Sequence, residues 1–169
     1  AADLKAQGKT LHQKLDDLFC THGCHLERQV AIKLPGAAGM DRMQEIMTGL
    51  RANPPIDLGG LTVRRTRDYG QLKVYDPDQG ELSFEGEQGD LVIFDLLDAE
   101  STGKKGSELL FPPLGNAVAA RPSGTEPKIK FYLFTAYQPT SPEELPAVKA
   151  VLERRLNLLE EDLRSRVGV

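Results

Sequence analysis

The chain has 169 residues, a formal net charge of −4, two cysteines and no tryptophan, a length that suits one domain with an appendage and is enough to bury a core. Net acidity argues against a general nucleic-acid or membrane-surface binder, and the few aromatic residues argue against a base-stacking platform. No apolar run reaches the roughly 20 residues that a membrane span needs. Two cysteines do not make a disulfide framework in a domain this size, so a reducing cytoplasm is the expected setting. The chain opens Ala1-Ala2-Asp3-Leu4-Lys5, with no Met and no signal- or transit-peptide pattern, and the expectation is a piece of a longer protein.

Thr10 with Gln13 reads as a capping box, after which Leu11, Leu15, Leu18 and Phe19 fall on one helical face until Gly23. Leu26 to Leu34 alternates as a strand with Leu26, Arg28, Val30, Ile32 and Leu34 on one side, and Pro35-Gly36 stops it. Met40, Met43, Ile46, Met47 and Leu50 predict an amphipathic helix ended by Asn53-Pro54-Pro55. The character then turns to β, with strands predicted at Leu61 to Arg67, Leu72 to Tyr75, Leu91 to Leu97, Ala117 to Ala120 and Lys128 to Phe134. Ser101 to Gly115 reads as an irregular excursion carrying a solvated Lys104-Lys105. Ser141, with Pro142 at N1 and Glu144 at N3, starts a long helix with a stripe of Leu145, Val148, Leu152, Leu156, Leu159 and Leu163. Strand, helix, adjacent strands and helix in that order predict an α+β fold, an antiparallel sheet with helices packed on one face.

Arg121-Pro122-Ser123-Gly124-Thr125-Glu126-Pro127-Lys128 joins the last two predicted strands. Pro122 and Pro127 restrict the backbone on either side of the turn. Gly124 permits a positive φ and a close approach to a ligand. The Arg121 guanidinium, the Ser123 and Thr125 hydroxyls and the free N–H groups between them would together suit a phosphate, because an Arg fork donates two parallel bonds and consecutive N–H groups form an anion nest. On spacing alone, a tight hairpin loop with a surface arginine accounts for the segment equally well.

Ala119 to Lys128 resembles the C-terminal phosphate-binding loop of the α-D-phosphohexomutases, the phosphoglucomutase/phosphomannomutase family, whose Arg-x-Ser-Gly-Thr-Glu-Pro-Lys core it fits without a gap. Leu91-Val92-Ile93-Phe94-Asp95 is similar to the strand before it, and Thr10 to Leu34 to the junction of the third and fourth domains. The Ser-His-Asn-Pro phosphoserine loop, the Asp-x-Asp-x-Asp metal loop and the Gly-Glu-x-Ser-Gly sugar loop of such enzymes have no match. Asp76-Pro77-Asp78-Gln79-Gly80 has two acids and reads as a turn, and Phe84-Glu85-Gly86-Glu87-Gln88-Gly89 lacks the serine.

The resemblance implies a C-terminal piece of a mutase, with 1–24 the end of the third domain and 25–169 the phosphate-binding fourth domain, whose fold resembles the TATA-binding protein. It implies that the intact enzyme interconverts hexose 1-phosphate and hexose 6-phosphate through a bisphosphorylated sugar, which is both intermediate and activator, with Mg²⁺ on the missing serine loop. It implies substrate-phosphate contacts at Arg121, Ser123, Gly124, Thr125 and Lys128, with no catalytic or metal residue in this chain. The expected partners are a phosphosugar and the remaining domains, with neither nucleic acid nor membrane. A stand-alone anion- or phosphosugar-binding module without catalysis is the second expectation.

Three other groups read as structural. Cys20, His22, Cys24 and His25 have no zinc-site spacing and are expected to pack at a helix–strand corner. Arg65 and Arg67 are expected on one strand face with Val63, and Arg64 on the other, as a solvated surface or ion pairs near Lys73. Lys128 and Lys130 share a face, where Lys130 is expected to be solvated opposite Ile129, Phe131 and Leu133. Glu126 is expected to orient Arg121 or cap an N–H.

Overall fold

A computed structural model describes residues 8–97 and 115–168. In chain order these form helix α1 (Leu11–His22), strand β1 (Cys24–Lys33), helix α2 (Gly39–Ala52), strands β2 (Asp57–Leu58), β3 (Leu61–Asp68), β4 (Lys73–Asp76), β5 (Gly80–Ser83), β6 (Val92–Leu97), β7 (Ala117–Pro122) and β8 (Lys128–Tyr137), a 3₁₀ turn (Pro142–Glu144) and helix α3 (Leu145–Val167). The strands make one open sheet in the order β1-β8-β7-β6-β3-β4-β5, with β2 on β3, and each pairing is antiparallel. The fold is therefore α+β. The predicted excursion, apart from Gly115, lies outside the described residues.

Alternation on β8 decides which face becomes the core. Ile129, Phe131 and Leu133 are fully buried, and their register partners on β1 and β7 (Ile32, Val30, Val118, Ala120) complete an apolar surface. Met43 and Met47 of α2 and Leu156, Leu159, Leu163 and Val167 of α3 join the same cluster. Each fully buried side chain of this size contributes about 1.5–3 kcal/mol. The stripe read from the sequence, Leu145 to Leu163, is buried throughout and extends to Val167, and Gly168 in the left-handed region (φ 80°) closes α3. Arg28, on the core side of β1, reaches α3 and donates to Asn157, Glu153 and Glu160.

Local readings hold in most places, and the exceptions have identifiable causes. Thr10 and Gln13 form the capping box, each side chain accepting from the other's N–H. Phe19 and Cys20 pack toward Cys24, Leu145, Val148 and Leu152, while Leu11, Leu15 and Leu18 remain exposed. At the start of the last helix the Ser141 side chain makes no cap bond to the backbone. Glu144 instead accepts from both the N–H and the hydroxyl of Thr140, and the first turn tightens to 3₁₀. Leu72 is a left-handed turn residue (φ 54°), so β4 starts at Lys73. The short strands β2 and β5 had no reading in the sequence.

Val63 does not share a face with Arg65 and Arg67, because the β3–β6 register shifts between Val63 and Arg65. This β-bulge accommodates Arg64 as an extra residue, and Val63 packs against the core cluster. Arg64 pairs with Asp76 and Asp78, confirming Asp76 to Gly80 as a turn.

The start of α2 supports the β7–β8 connection. Leu34 N–H donates to the Pro127 carbonyl at 2.8 Å. A Cβ on Gly39 would lie 2.0 Å from the Leu34 carbonyl oxygen and 2.9 Å from Pro127 Cβ. Gly39→Ala is therefore expected to cost about 1–3 kcal/mol, read by urea unfolding, and to shift the amide resonances of 123–127. A change in stability without a change in those resonances would show that the contact does not hold the connection.

Acid should destabilise the fold in a defined window. Burial favours the neutral form of Glu160, but its bonds to Arg164 and Arg28 prevail and hold its pKa below 4.5. The unfolded chain then takes up this proton first, so the stabilisation is complete above about pH 4.5 and lost as pH falls through the lowered folded value. Arg28→Ala should shallow this loss in urea titrations between pH 5 and 3, and an unchanged slope would dismiss the Arg28 contribution.

Candidate functional site

The segment singled out in the sequence is a hairpin connection. β7 runs through Arg121 to Pro122, β8 begins at Lys128, and Ser123 N–H donates to the Lys128 carbonyl at 2.9 Å to close the loop. Thr125 N–H faces Ser123 Oγ at a long 3.5 Å. The N–H groups of Gly124 and Glu126 have no acceptor among the described residues. Gly124, Thr125 and Glu126 are exposed at the tip, with Ser123 half-buried beneath them.

Gly124 is not in the left-handed region, and a Cβ built on it meets nothing within 4 Å. The turn therefore does not require glycine, contrary to the positive-φ expectation. The open space above it is what remains of the close-approach reading. Glu126 also departs from expectation. It forms an ion pair with Lys128 instead of orienting Arg121. The hydrogen bond from Lys128, then its charge, holds the Glu126 carboxyl below its ordinary pKa, with Lys33 and Lys130 adding to the effect.

The sheet brings together residues that the chain separates. Arg121 pairs in register with Lys130, and Lys33 with Lys128. All four lie on the face opposite Ile129 and Phe131, at the loop end of three adjacent strands. Arg121 is exposed, and its guanidinium forms no ion pair or hydrogen bond among the described residues. Arg121, Ser123, Gly124, Thr125 and Lys128 thus occupy one end of one face, and Lys33 was missed as a neighbour. Its position across from Lys128 depends on strands about a hundred residues apart, a pairing that no local pattern carries. Such an array of guanidinium, ammonium, hydroxyl and unengaged N–H groups is suited to an anion.

Further along this face, Ala119 and Ala117 form the floor between Tyr132 and Phe134 on one side and Ile93 and Asp95 on the other. Arg65 and Arg67 converge on Asp95, at 2.8 and 2.7 Å, and Arg67 and Asp95 are buried. The basic patch is thus an ion-paired network, of which Arg67 is the unexpectedly buried member. A cavity of about 670 Å³ opens beside it, lined among the described residues by His25, Glu27, Arg67, Tyr69, Ile93, Gly115 and Phe134 among others.

Cys24 is buried on the core side of β1, while His25 points to the opposite face. Burial comes first in raising the pKa of both the Cys20 and Cys24 thiols, so at neutral pH they are uncharged packing groups.

No family model matches the chain. Phosphoglucomutases of Staphylococcus aureus strains N315 and USA300 are each 35% identical to it over 133 residues, covering 79% of this chain and 21% of the relative. Among solved structures, the exocytosis-sensitive phosphoprotein pp63/parafusin, a phosphoglucomutase from Paramecium in its open form, matches with TM-score 0.42 and 14% identity, over 95% of this chain and 24% of that one. The chain spans about a fifth of the length of the curated relatives it matches. By sequence it is homologous to part of the phosphoglucomutase/phosphohexomutase family.

Proposed function

We propose that this chain is the C-terminal substrate-phosphate-binding domain of a phosphohexomutase, TATA-binding-protein-like in fold, and that Arg121, Ser123, Gly124, Thr125 and Lys128 hold the phosphate that is not reacting. The observation that carries the reading is an exposed Arg121 whose guanidinium has no partner among the described residues, beside a loop whose Gly124 and Glu126 N–H groups likewise have none there, at the cationic end of one sheet face. The homology to phosphoglucomutases supports it.

The intact protein, on this reading, interconverts hexose 1-phosphate and hexose 6-phosphate through a bisphosphorylated sugar. A remote phosphate held here orients the reacting end, because binding energy away from the chemistry can be used for positioning. Closure of this domain over the cleft would also exclude water from the phosphoryl group in transit. A loop that recognises only a phosphate accepts either end of the turned intermediate, as such an exchange requires. The described residues hold no group of three His, Cys, Asp or Glu side chains placed to take a metal ion. On the same reading Mg²⁺ would be held on the serine loop of the remaining domains.

Titration of this chain with inorganic phosphate, followed by amide NMR, is expected to move the resonances of 123–125, with a dissociation constant in the millimolar range, about 4 kcal/mol. Arg121→Ala should weaken binding strongly and Arg121→Lys restore only part of it, since a point charge does not replace the fork. Shifts elsewhere with those amides unmoved would misplace the site.

A second outcome concerns chemistry. The chain alone, given glucose 1-phosphate, Mg²⁺ and a hexose bisphosphate, should show no turnover, because it offers no phosphoryl-accepting serine loop. Turnover that copurifies with the chain through successive columns would overturn the assignment of the chemistry to other domains.

A further inference from the structure

We propose that the outer edge of β1 is an interaction surface for a second copy of this chain. The two β1 strands pair antiparallel about a two-fold axis at Val30 and join the sheets into one. The proposal is independent of what the β7–β8 loop binds.

The backbone supplies the first argument. Ala136 N–H donates to Asn116 and the Lys128 carbonyl accepts from Ser123 N–H, so the even-numbered residues of β8 bond toward β7. Its odd-numbered residues therefore bond toward β1, where the register gives them Cys24, Leu26, Arg28, Val30 and Ile32 as partners. The N–H and C=O groups of His25, Glu27, Gln29, Ala31 and Lys33 point outward, and none has a partner among the described residues. All five residues are exposed. Folded proteins blunt such edges by keeping them short, bulging them or placing proline there. The opposite edge, β5, has four residues, whereas β1 has ten, pairs with β8 without a register shift and contains no proline.

Charge is the remaining protection, and on β1 it is arranged to attract a copy. Glu27 stands as far before Val30 as Lys33 stands after it. An axis at Val30 sets Glu27 of each copy opposite Lys33 of the other, and Gln29 opposite Ala31, all at outward-bonding positions able to exchange hydrogen bonds. Neither Glu27 nor Lys33 forms an ion pair within the chain among the described residues. An axis at Gln29 would instead set His25 against Lys33 and Glu27 against Ala31, and one at Arg28 would oppose two arginines. Self-complementarity therefore selects Val30.

The helix layer is compatible with this pairing. The even-numbered residues of both strands stay on the helix face, where α3 packs over β1 and β8. Arg28 already donates to Asn157, Glu153 and Glu160, so joining the edges covers it without stranding its charge. One strand pair is a small interface, at the weak end of specific contacts, and dimers are expected to fill in as the chain is concentrated.

Sedimentation equilibrium of the chain, with amide hydrogen exchange at low and high concentration, tests this. The expected result is a monomer–dimer equilibrium in which the amides of Glu27, Gln29, Ala31 and Lys33 gain protection with concentration. Glu27→Lys should weaken the dimer about tenfold, because two attractions become two repulsions. Glu27→Lys with Lys33→Glu should restore it, which a mere loss of fold would not do. Ala31→Pro removes an outward N–H without touching the β1–β8 ladder and should abolish dimers, with native fold checked by amide dispersion. A chain that stays monomeric up to about 1 mM would overturn the proposal. So would dimers that survive a natively folded Ala31→Pro, or whose protected amides lie on α1 with its exposed Leu11, Leu15 and Leu18. Dimers that the double charge exchange fails to restore would refute the Val30 axis.

Discussion

The register of β8 is the constraint on which the rest depends. Ten of its residues pair with β1 and six with β7, and period-two alternation sends Ile129, Phe131 and Leu133 under the helices while Lys128, Lys130, Tyr132 and Phe134 go to the other face. A slip of one residue would bury the lysines against Met43 and Leu156 and expose the core. The penalty for burying unpaired ammonium groups is several kcal/mol each, so core formation and the placing of cations at the loop end are one event. The hydrophobic stripe of α3 selects the register, and the register delivers the charges.

Charge is arranged differently on the two faces. On the helix side, Arg28 is absorbed by α3 carboxylates and Asn157. On the other side, Asp95 gathers Arg65 and Arg67 in the middle of the sheet, where burial makes a lone arginine costly. There one carboxylate is shared between two guanidinium groups. At the loop end of the same face Lys33, Lys128, Lys130 and Arg121 stand together near Glu126, where solvent and a visiting anion can both reach them.

Much of this could be read before the fold was seen, and the limits have physical causes. Helices α2 and α3 and strands β1 and β8 were legible because each buries one face with a clear period, as the Leu145 to Leu163 stripe shows, whereas β6 and β7 were legible as short apolar runs buried on both faces. Strands β2 and β5 escaped because they are too short to show a period, and β5 buries none of its residues. The face of Val63 was misassigned because a bulge breaks alternation without marking the residues on either side. At the loop, the residue types were legible but their partners were not. Glu126 chose Lys128 over Arg121 because the two strand ends bring the carboxylate back over β8, and Lys33 entered through long-range pairing.

The bond from Leu34 to Pro127 and the close seat of Gly39 beneath it give the loop a stiff foundation. Chain entropy that a free loop would lose on meeting a ligand has already been given up when α2 settled on the sheet. The loop and the methionines Met43 and Met47 therefore belong to one packed unit. Loosening the core beneath α2 would let the loop fray, so a defect buried well away from any anion would be felt as weaker recognition rather than as altered chemistry.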